Sequence, residues 1–288
     1  MERYELLNKV ARPVDMMLGG ALEVAKATGI YQPVREAIVH MIKKSMMDGF
    51  TKNNNIEILG VENVPVEGGA IIAANHQSWL DVQALGSSSE REIHFIAKSE
   101  FTDWPILSKM IDLTESVFIR RGGDDEGITE VVNRLKEGWL LGIFPEGTIP
   151  GEEEVSRDEL EPETGLLKGK TGVVRLAIMA GVPIIPVGVS GTGQAFPPEM
   201  YPRLEMPPIQ KKAPITLKYG KPIYFDDKDI SKVSHEKLRE YTNNVMKEIS
   251  NLIDFNRCFV PIEVPIKKPD TSGLRSYPVK DGKSEYGA

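Results

Sequence analysis

The chain has 288 residues, of which 41% are hydrophobic and 27% charged, a balance that is typical of a folded globular protein. This composition argues against collagen-like and wholly disordered classes, and the single cysteine, Cys258, cannot form an internal disulfide. The net charge of −7 does not favour a general nucleic-acid binder, so any anion site must be local.

Residues 1–50 are predicted to form two amphipathic helices. Apolar residues recur at helical spacing from Leu6 to Ala25, and again from Val34 to Ile42. In one interpretation both helices pack on the main domain. In the other, a methionine-rich part of their surface rests in a lipid headgroup layer, with Lys43 and Lys44 beside it.

Residues 51–261 alternate short β-rich runs with helical stretches, which predicts an α/β domain. Near-continuous apolar runs such as Ala70–Ala74 and Val182–Val189 indicate a sheet that helices cover on both faces. Residues 262–288 lack periodicity and are predicted to form an extended or disordered tail. The predicted strands are Ile56–Gly60, Ala70–Asn75, Ile93–Lys98, Val117–Arg121, Trp139–Phe144, Val182–Ser190 and Ile215–Gly220.

No segment is predicted to cross a membrane or to direct secretion. A spanning helix needs about 20 mostly apolar residues in a row. The longest uncharged run, between Arg175 and Glu199, is interrupted by glycines and prolines typical of a strand with turns. The first fifteen residues carry charges where a signal peptide has an apolar core.

The first chemical motif follows the run Ala70–Asn75, where His76 and Asp81 lie at the junction of a predicted strand and a helix. In α/β folds, ligands bind at such carboxyl-terminal strand ends. If His76 precedes the helix and Asp81 lies in its first turns, the carboxylate can reach back and orient the imidazole as a general base. The alternative is a helix cap next to an ordinary histidine.

The second motif follows the predicted strand Trp139–Phe144 and reads Pro145-Glu146-Gly147-Thr148. A carboxylate at this position can bind substrate hydroxyls or anchor a neighbouring loop. The alternative is a plain turn, because these residues also favour turns.

Other chemistries find no support in the sequence. Cys258 is far from any histidine motif, and the segment Gly165–Thr171 has too few residues between its glycines for a phosphate-binding loop. No metal site is predicted, because the remaining histidines have no ligand-like neighbours. They are His40, His94 and His235.

Four blocks in this order resemble the phospholipid-synthesis glycerolipid acyltransferase family, typified by bacterial 1-acylglycerol-3-phosphate acyltransferase. The NHxxxxD block of the family matches Asn75–Asp81, and its FPEGT block matches Phe144–Thr148 without a change. Its Phe-Ile-x-Arg block matches Phe118–Arg121, and its Pro-Ile-x-Pro strand matches Pro183–Pro186. The resemblance spans roughly Asn55 to Pro222.

The resemblance implies a mixed, largely parallel central sheet flanked by helices, the glycerolipid acyltransferase fold, behind a two-helix N-terminal segment. It implies an O-acyltransferase that moves a fatty acyl group from acyl-CoA or acyl-carrier protein to the hydroxyl of a lysophospholipid. The favoured acceptor is 1-acyl-sn-glycerol-3-phosphate, and the product is phosphatidic acid. No metal or other cofactor is implied, because the acyl thioester is itself a substrate.

The family's residue roles carry over to matching positions. His76 is the expected general base, which acts without a covalent intermediate, and Asp81 orients it. Arg121 is expected to hold the acceptor phosphate, and Glu146 to position the glycerol or the Arg121 loop. The complete predicted substrate-binding set is Asn75, Arg121, Glu146, Gly147, Thr148, Lys168 and Lys170.

The chain departs from the family after the FPEGT block. The family usually continues with Arg-Ser, whereas this chain has Ile149-Pro150, followed by an acidic insertion at 152–163. Lys168 or Lys170 is therefore the candidate to supply a phosphate contact. The insertion by itself is typical of a solvated loop.

Two alternatives remain open. One is an acyltransferase of the same superfamily that acts on glycerol-3-phosphate, another lysophospholipid or a glycolipid. The other is a catalytically silent lipid-binding protein, although holding a lipid needs no base such as His76 with Asp81. For an enzyme acting on lipid, we expect a cytoplasmic protein that is peripherally or monotopically attached to the membrane surface, with no nucleic-acid partner.

Overall fold

A seven-stranded sheet organises the part of the chain that the structure describes. The structure is a computed structural model that describes residues 16–17, 19–97, 111–118, 125–151, 155–156, 159–198 and 212–257. All seven predicted strands are confirmed, although the last three residues of the run Val117–Arg121 lie outside the described residues. The strands are β1 (Glu57–Leu59), β2 (Ala70–Ala74), β3 (Ile93–Ala97), β4 (Val117–Phe118), β5 (Leu140–Ile143), β6 (Ile184–Ser190) and β7 (Thr216–Tyr219).

The strand order is β1-β7-β6-β2-β5-β3-β4. Neighbouring strands are parallel except β6 and β7, which pair antiparallel, so the predicted mixed and largely parallel sheet is confirmed. In the centre, Ile71 of β2 lies opposite Leu141 of β5 and Ile184 of β6. The carboxyl ends of these three parallel strands therefore meet at one edge of the sheet.

Helices cover both faces of the sheet, as the apolar strands predict. Because side chains alternate along a strand, Ile72 of β2 packs with one apolar cluster and Ile71 packs with the other. The helices are α1 (residues 19–27), α2 (Tyr31–Asn54), α3 (Leu80–Ser88), α4 (Asp125–Lys136), α5 (Gly172–Ala180), α6 (Thr192–Ala195) and α7 (His235–Leu252). Helices α2 and α3 contribute to the Ile72 side, whereas α4, α5 and α7 contribute to the Ile71 side.

The N-terminal helices are tied to the α/β domain. Helix α2 continues to Asn54, beyond the boundary predicted at residue 50, and Phe50 is buried in the apolar cluster on its side of the sheet. The Lys43 ammonium donates to the Ser89 carbonyl at 2.7 Å, just after α3, and burial lowers its pKa. Lys43 therefore stabilises the end of α3, whereas the lipid interpretation placed it beside a headgroup layer.

Among the described helices, none is both long enough and apolar enough to cross a membrane. The predicted tail at 262–288 lies outside the described residues, as does Cys258.

Candidate active site

The site begins with Asn75, which follows β2 and fixes the course of the next loop. Its side-chain amide donates to the Val189 carbonyl at 3.0 Å and accepts from the Val189 N–H at 2.7 Å. The side chain thus continues the pairing of β2 with β6 after the β2 backbone has left the sheet. Because Asn75 is fully buried, this geometry favours an anchoring role over the predicted contact with substrate.

The structure brings His76 and Asp81 together, as the spacing predicts. His76 precedes α3, and Asp81 lies in its first turn, with 2.8 Å between His76 Nδ1 and Asp81 Oδ2. The same oxygen accepts the backbone N–H groups of Gln77 at 2.6 Å and Ser78 at 2.9 Å. An ionised carboxylate only accepts hydrogen bonds, so Nδ1 carries the proton and Nε2 is left as the basic nitrogen.

Besides its hydrogen bond to Asp81, the His76 ring is fixed by a stacking contact. It stacks on Phe144, with 3.9 Å between ring centroids and 11° between planes. Phe144 follows β5 and lies 6.2 Å from the Phe95 ring of β3. The His76 side chain keeps 15% of its surface exposed, so a substrate can reach it.

Glu146 connects the His76 loop to a second loop. Its Oε1 accepts the His76 N–H at 2.8 Å, and its Oε2 accepts the Leu167 N–H at 2.9 Å. Burial raises the pKa of this carboxyl to about 7, against the lowering effect of the two N–H donors, and the nearby Asp81 charge adds to the increase. Of the two roles that the sequence predicted for Glu146, binding substrate and anchoring a neighbouring loop, these bonds favour the anchoring of a loop.

Gly147 and Thr148 complete the turn after β5. Gly147 has a φ of +74°, a backbone conformation that favours glycine, and the end of the Lys170 side chain lies over it. The Thr148 hydroxyl is buried and makes no hydrogen bond within the described ranges. Lys168 and Lys170 are exposed on the loop after Leu167, and Lys170 lies over Gly147. Arg121 lies outside the described residues.

Two supports of the His76 loop were missed by sequence reasoning. Gln77 donates to the Val189 carbonyl at 2.8 Å, and the Ser78 hydroxyl donates to the Phe196 carbonyl at 2.6 Å. Both belong to the variable positions between His76 and Asp81. Their polarity directly after an apolar strand was the only available signal, and it does not reveal partners more than 100 residues away.

The arrangement can remove a proton from a hydroxyl group. A buried carboxylate orients a partly exposed imidazole, and three other side chains hold its loop and ring: Asn75, Phe144 and Glu146. No group of three or more histidine, cysteine, aspartate and glutamate side chains that could hold a metal ion occurs within the described part of the chain.

The segment that carries this site is similar to known acyltransferases. Residues 55–190 match the protein family described as Acyltransferase. The 1-acyl-sn-glycerol-3-phosphate acyltransferase of Bacillus subtilis is 26% identical over 69% of this chain and 90% of its own length. The lyso-ornithine lipid O-acyltransferase of Brucella abortus is 29% identical over 54% of this chain, and the match spans 62% of the Brucella protein.

A solved structure supports the same assignment. The crystal structure of the 1-acyl-sn-glycerophosphate acyltransferase PlsC from Thermotoga maritima superimposes with a TM-score of 0.58 at 25% identity. The superposition covers 86% of this chain and 93% of the Thermotoga chain. Residues 55–190, which contain the paired His76 and Asp81, thus match the Acyltransferase family, and the chain is similar to 1-acyl-sn-glycerol-3-phosphate acyltransferases in sequence and fold.

Proposed function

We propose that this protein transfers a fatty acyl group from acyl-CoA or acyl-carrier protein to the hydroxyl of a lysophospholipid. The favoured reaction converts 1-acyl-sn-glycerol-3-phosphate to phosphatidic acid. The observation that carries the proposal is the 2.8 Å contact between His76 Nδ1 and Asp81 Oδ2, which leaves His76 Nε2 as a base at the open edge of the sheet. The names of the Bacillus and Thermotoga relatives support the choice of acceptor.

In the proposed mechanism His76 Nε2 takes the proton of the acceptor hydroxyl as its oxygen attacks the thioester carbonyl. A tetrahedral oxyanion forms, the bond from carbon to sulfur breaks, and the departing thiolate takes the proton from the imidazolium. Asp81 stabilises the imidazolium throughout. No acyl-enzyme is formed, so the chain needs no nucleophile of its own.

Arg121 is proposed to bind the phosphate of the acceptor. It follows β4 by three residues in the sequence. Strand β4 is parallel to β3, so its carboxyl end faces the same edge of the sheet as the end of β3. A guanidinium group suits a phosphate because it can donate two parallel hydrogen bonds.

Attachment to the membrane surface is also a proposal. Three apolar side chains near the N-terminus stand largely in solvent, namely Met16 at 75%, Met17 at 76% and Val24 at 64% exposure. Large apolar side chains grouped in this way are typical of contact surfaces, and an acceptor embedded in a bilayer supplies the partner.

The test is a turnover assay of purified protein with acyl-CoA and acyl-carrier-protein donors against a set of acceptors. The set contains 1-acyl-sn-glycerol-3-phosphate, lyso-ornithine lipid and glycerol-3-phosphate. We expect the first to be acylated fastest. Faster acylation of lyso-ornithine lipid would favour the second candidate, which the name of the Brucella relative supports.

His76→Ala is expected to lower turnover by about 10²- to 10⁴-fold, because general-base assistance is lost. The matched control is His40→Ala, which removes an exposed imidazole from α2 and should leave turnover unchanged. Thermal unfolding of both variants verifies that they fold. A His76→Ala protein that keeps most of its activity would exclude the proposed base, and lipid binding without turnover in the wild type would favour the silent lipid-binding alternative.

A further inference from the structure

The rings of Phe95, Phe144 and His76 form a series of nearly parallel rings that ends at the His76 loop. His76 and Phe144 are 3.9 Å apart between ring centroids, with 11° between planes, so their faces are in van der Waals contact. Phe144 and Phe95 are 6.2 Å apart, with 13° between planes. The face of the His76 ring therefore contacts an aromatic face, whereas its Nδ1 edge contacts Asp81.

The surroundings of Phe144 hold its ring in this orientation. Phe144 directly follows β5 and packs against the apolar cluster that contains Ile72. Phe95 is 8% exposed and lies opposite Gly142 in the pairing of β3 with β5. The Phe95 ring occupies the space that a Cβ on Gly142 would take. The lack of a side chain at Gly142 thus admits the ring that packs beside Phe144.

The charge of the His76 ring changes during the proposed reaction. The ring is neutral before the acceptor proton reaches Nε2, and it is an imidazolium afterwards. The face of an aromatic ring carries the negative end of its quadrupole and attracts a cation that lies over it. Because the His76 side chain is only 15% exposed, water screens this attraction weakly. The contact with Phe144 is therefore stronger after proton transfer than before it, which is the condition for lowering a barrier.

We propose that Phe144 is a positioning residue that acts through His76, because its ring face stabilises the imidazolium while Asp81 stabilises the same cation at its edge. The inference rests on the proposed acyltransferase function and adds a residue to its proton transfer. The proton moves from the acceptor hydroxyl to His76 Nε2 and then to the departing thiolate, and Phe144 gains and loses no atom. A residue that only filled space would need the same shape but not the same ring electrons.

The experiment changes the ring electrons of Phe144 and keeps its shape. Phenylalanines that carry one, two or three ring fluorines are incorporated at position 144 alone, because fluorine withdraws electron density from the ring face. The matched control is the same series at Phe225, whose ring contacts Tyr241 at 5.1 Å on the side of the sheet that contains Ile71. The readouts are the single-turnover rate with a short-chain 1-acyl-sn-glycerol-3-phosphate and the KM for acceptor and donor.

We expect the single-turnover rate to fall stepwise with each fluorine at position 144, by about 3- to 30-fold over the series, as the range of cation–π energies predicts. Both KM values should stay unchanged, and the Phe225 series should keep the wild-type rate. Thermal unfolding verifies that each protein folds. A rate that does not change along the Phe144 series, or a rise in KM at constant rate, would overturn the proposal.

Ordinary substitutions separate the ring face from apolar bulk. Phe144→Leu keeps an apolar side chain without a ring face, and we expect it to lower the single-turnover rate by about tenfold. Phe144→Tyr keeps the ring face and should lose much less. Equal rates for the two variants, in proteins that unfold at the same temperature, would show that the ring electrons play no part.

A further measurement works without turnover. The protonated fraction of the His76 ring at a fixed acidic pH, followed by NMR, should decrease along the Phe144 series but not along the Phe225 series. If the wild type acylates no lysolipid yet shows this decrease, the acyltransferase proposal fails and the contribution of Phe144 to the imidazolium stands. If turnover is found but the rate, the protonated fraction or both stay constant along the Phe144 series, only the inference about Phe144 fails.

Discussion

At the scale of single residues, Glu146 holds together two loops that are far apart in sequence. One carboxylate oxygen accepts the N–H of His76, and the other accepts the N–H of Leu167. Only the ionised form offers two full acceptors, yet burial disfavours the charge and raises the pKa to about 7. Among neighbouring charges, that of Asp81 raises the pKa of this carboxyl further.

Glu146→Gln is expected to lower kcat by about 10- to 100-fold with little change in either KM, because one N–H faces an amide NH₂ and loses its acceptor. The matched control is Glu163→Gln, since Glu163 is an exposed residue of the acidic insertion. The measurement is a kcat and KM determination for both substrates. A rise in acceptor KM at constant kcat would instead assign Glu146 to substrate binding, the other role that the sequence predicted.

The raised pKa of Glu146 also predicts a pH dependence of stability. The pKa of this carboxyl has its ordinary value of 4.5 in the unfolded chain, but burial raises it to about 7 in the folded protein. Between these values the folded state binds more protons, so this group's contribution to the free energy of unfolding falls as pH rises. Denaturant unfolding of the wild type and of Glu146→Gln at several pH values measures this slope. A difference between the two proteins that is constant with pH would contradict the assignment.

At the scale of secondary-structure elements, Arg35 attaches α2 to the strands at one edge of the sheet. Its side chain is buried and lies 2.5 Å from Glu92, just before β3, and 3.2 Å from Glu115, just before β4. An apolar cluster of Leu22, Val39 and Leu113 supports the same contact. Since the chain continues from β4 to Arg121, α2 fixes the start of the segment that carries the proposed phosphate ligand.

Arg35→Met is expected to reduce the free energy of unfolding by about 2 kcal/mol, because a hydrogen bond to a charged group typically contributes that much to stability. The loss is limited because both glutamates are about a quarter exposed and can regain water. Arg35→Lys should restore part of the lost stability. Arg175→Met is the control, because Arg175 is exposed on α5. Unfolding in urea measures the difference. If Arg35→Met were as stable as the wild type, α2 would not depend on this ion pair.

At the scale of the whole molecule, the net charge of −7 gives no general attraction to anionic lipid. The proposed attachment to a bilayer therefore relies on apolar surface, for which Met16, Met17 and Val24 are the exposed candidates. Helix α2 cannot simply be deleted to test this, because Phe50 belongs to the core and Arg35 binds the sheet edge. Substitutions on the exposed surface keep these contacts intact.

The triple variant Met16→Ser, Met17→Ser and Val24→Ser is expected to weaken liposome binding at least tenfold, because each buried apolar side chain contributes roughly 1.5–3 kcal/mol. Turnover of a short-chain soluble acceptor should be unchanged. Val66→Ser, which removes a valine with 88% exposure from the loop before β2, is the control. Vesicle co-sedimentation measures the binding. Undiminished co-sedimentation of the triple variant would show that these three side chains do not attach the protein to the bilayer.

The sequence by itself predicted the elements and the reacting pair. Apolar runs bounded by turn residues identify the strands, because burial on both faces of a sheet requires such runs. His76 and Asp81 are five residues apart, so the local path from strand to helix is enough to bring them together. The motif order also indicated the family, which the comparisons support for residues 55–190.

Only the tertiary structure decided which residues support that pair. Glu146 is 70 residues from His76, and Asn75 is 114 residues from Val189, so no local periodicity can indicate these contacts. The antiparallel pairing of β6 with β7 and the position of Lys170 over Gly147 likewise depend on how distant segments meet. Local sequence specifies helices, strands and short turns, whereas partners across the sheet are selected by the packing of the whole chain.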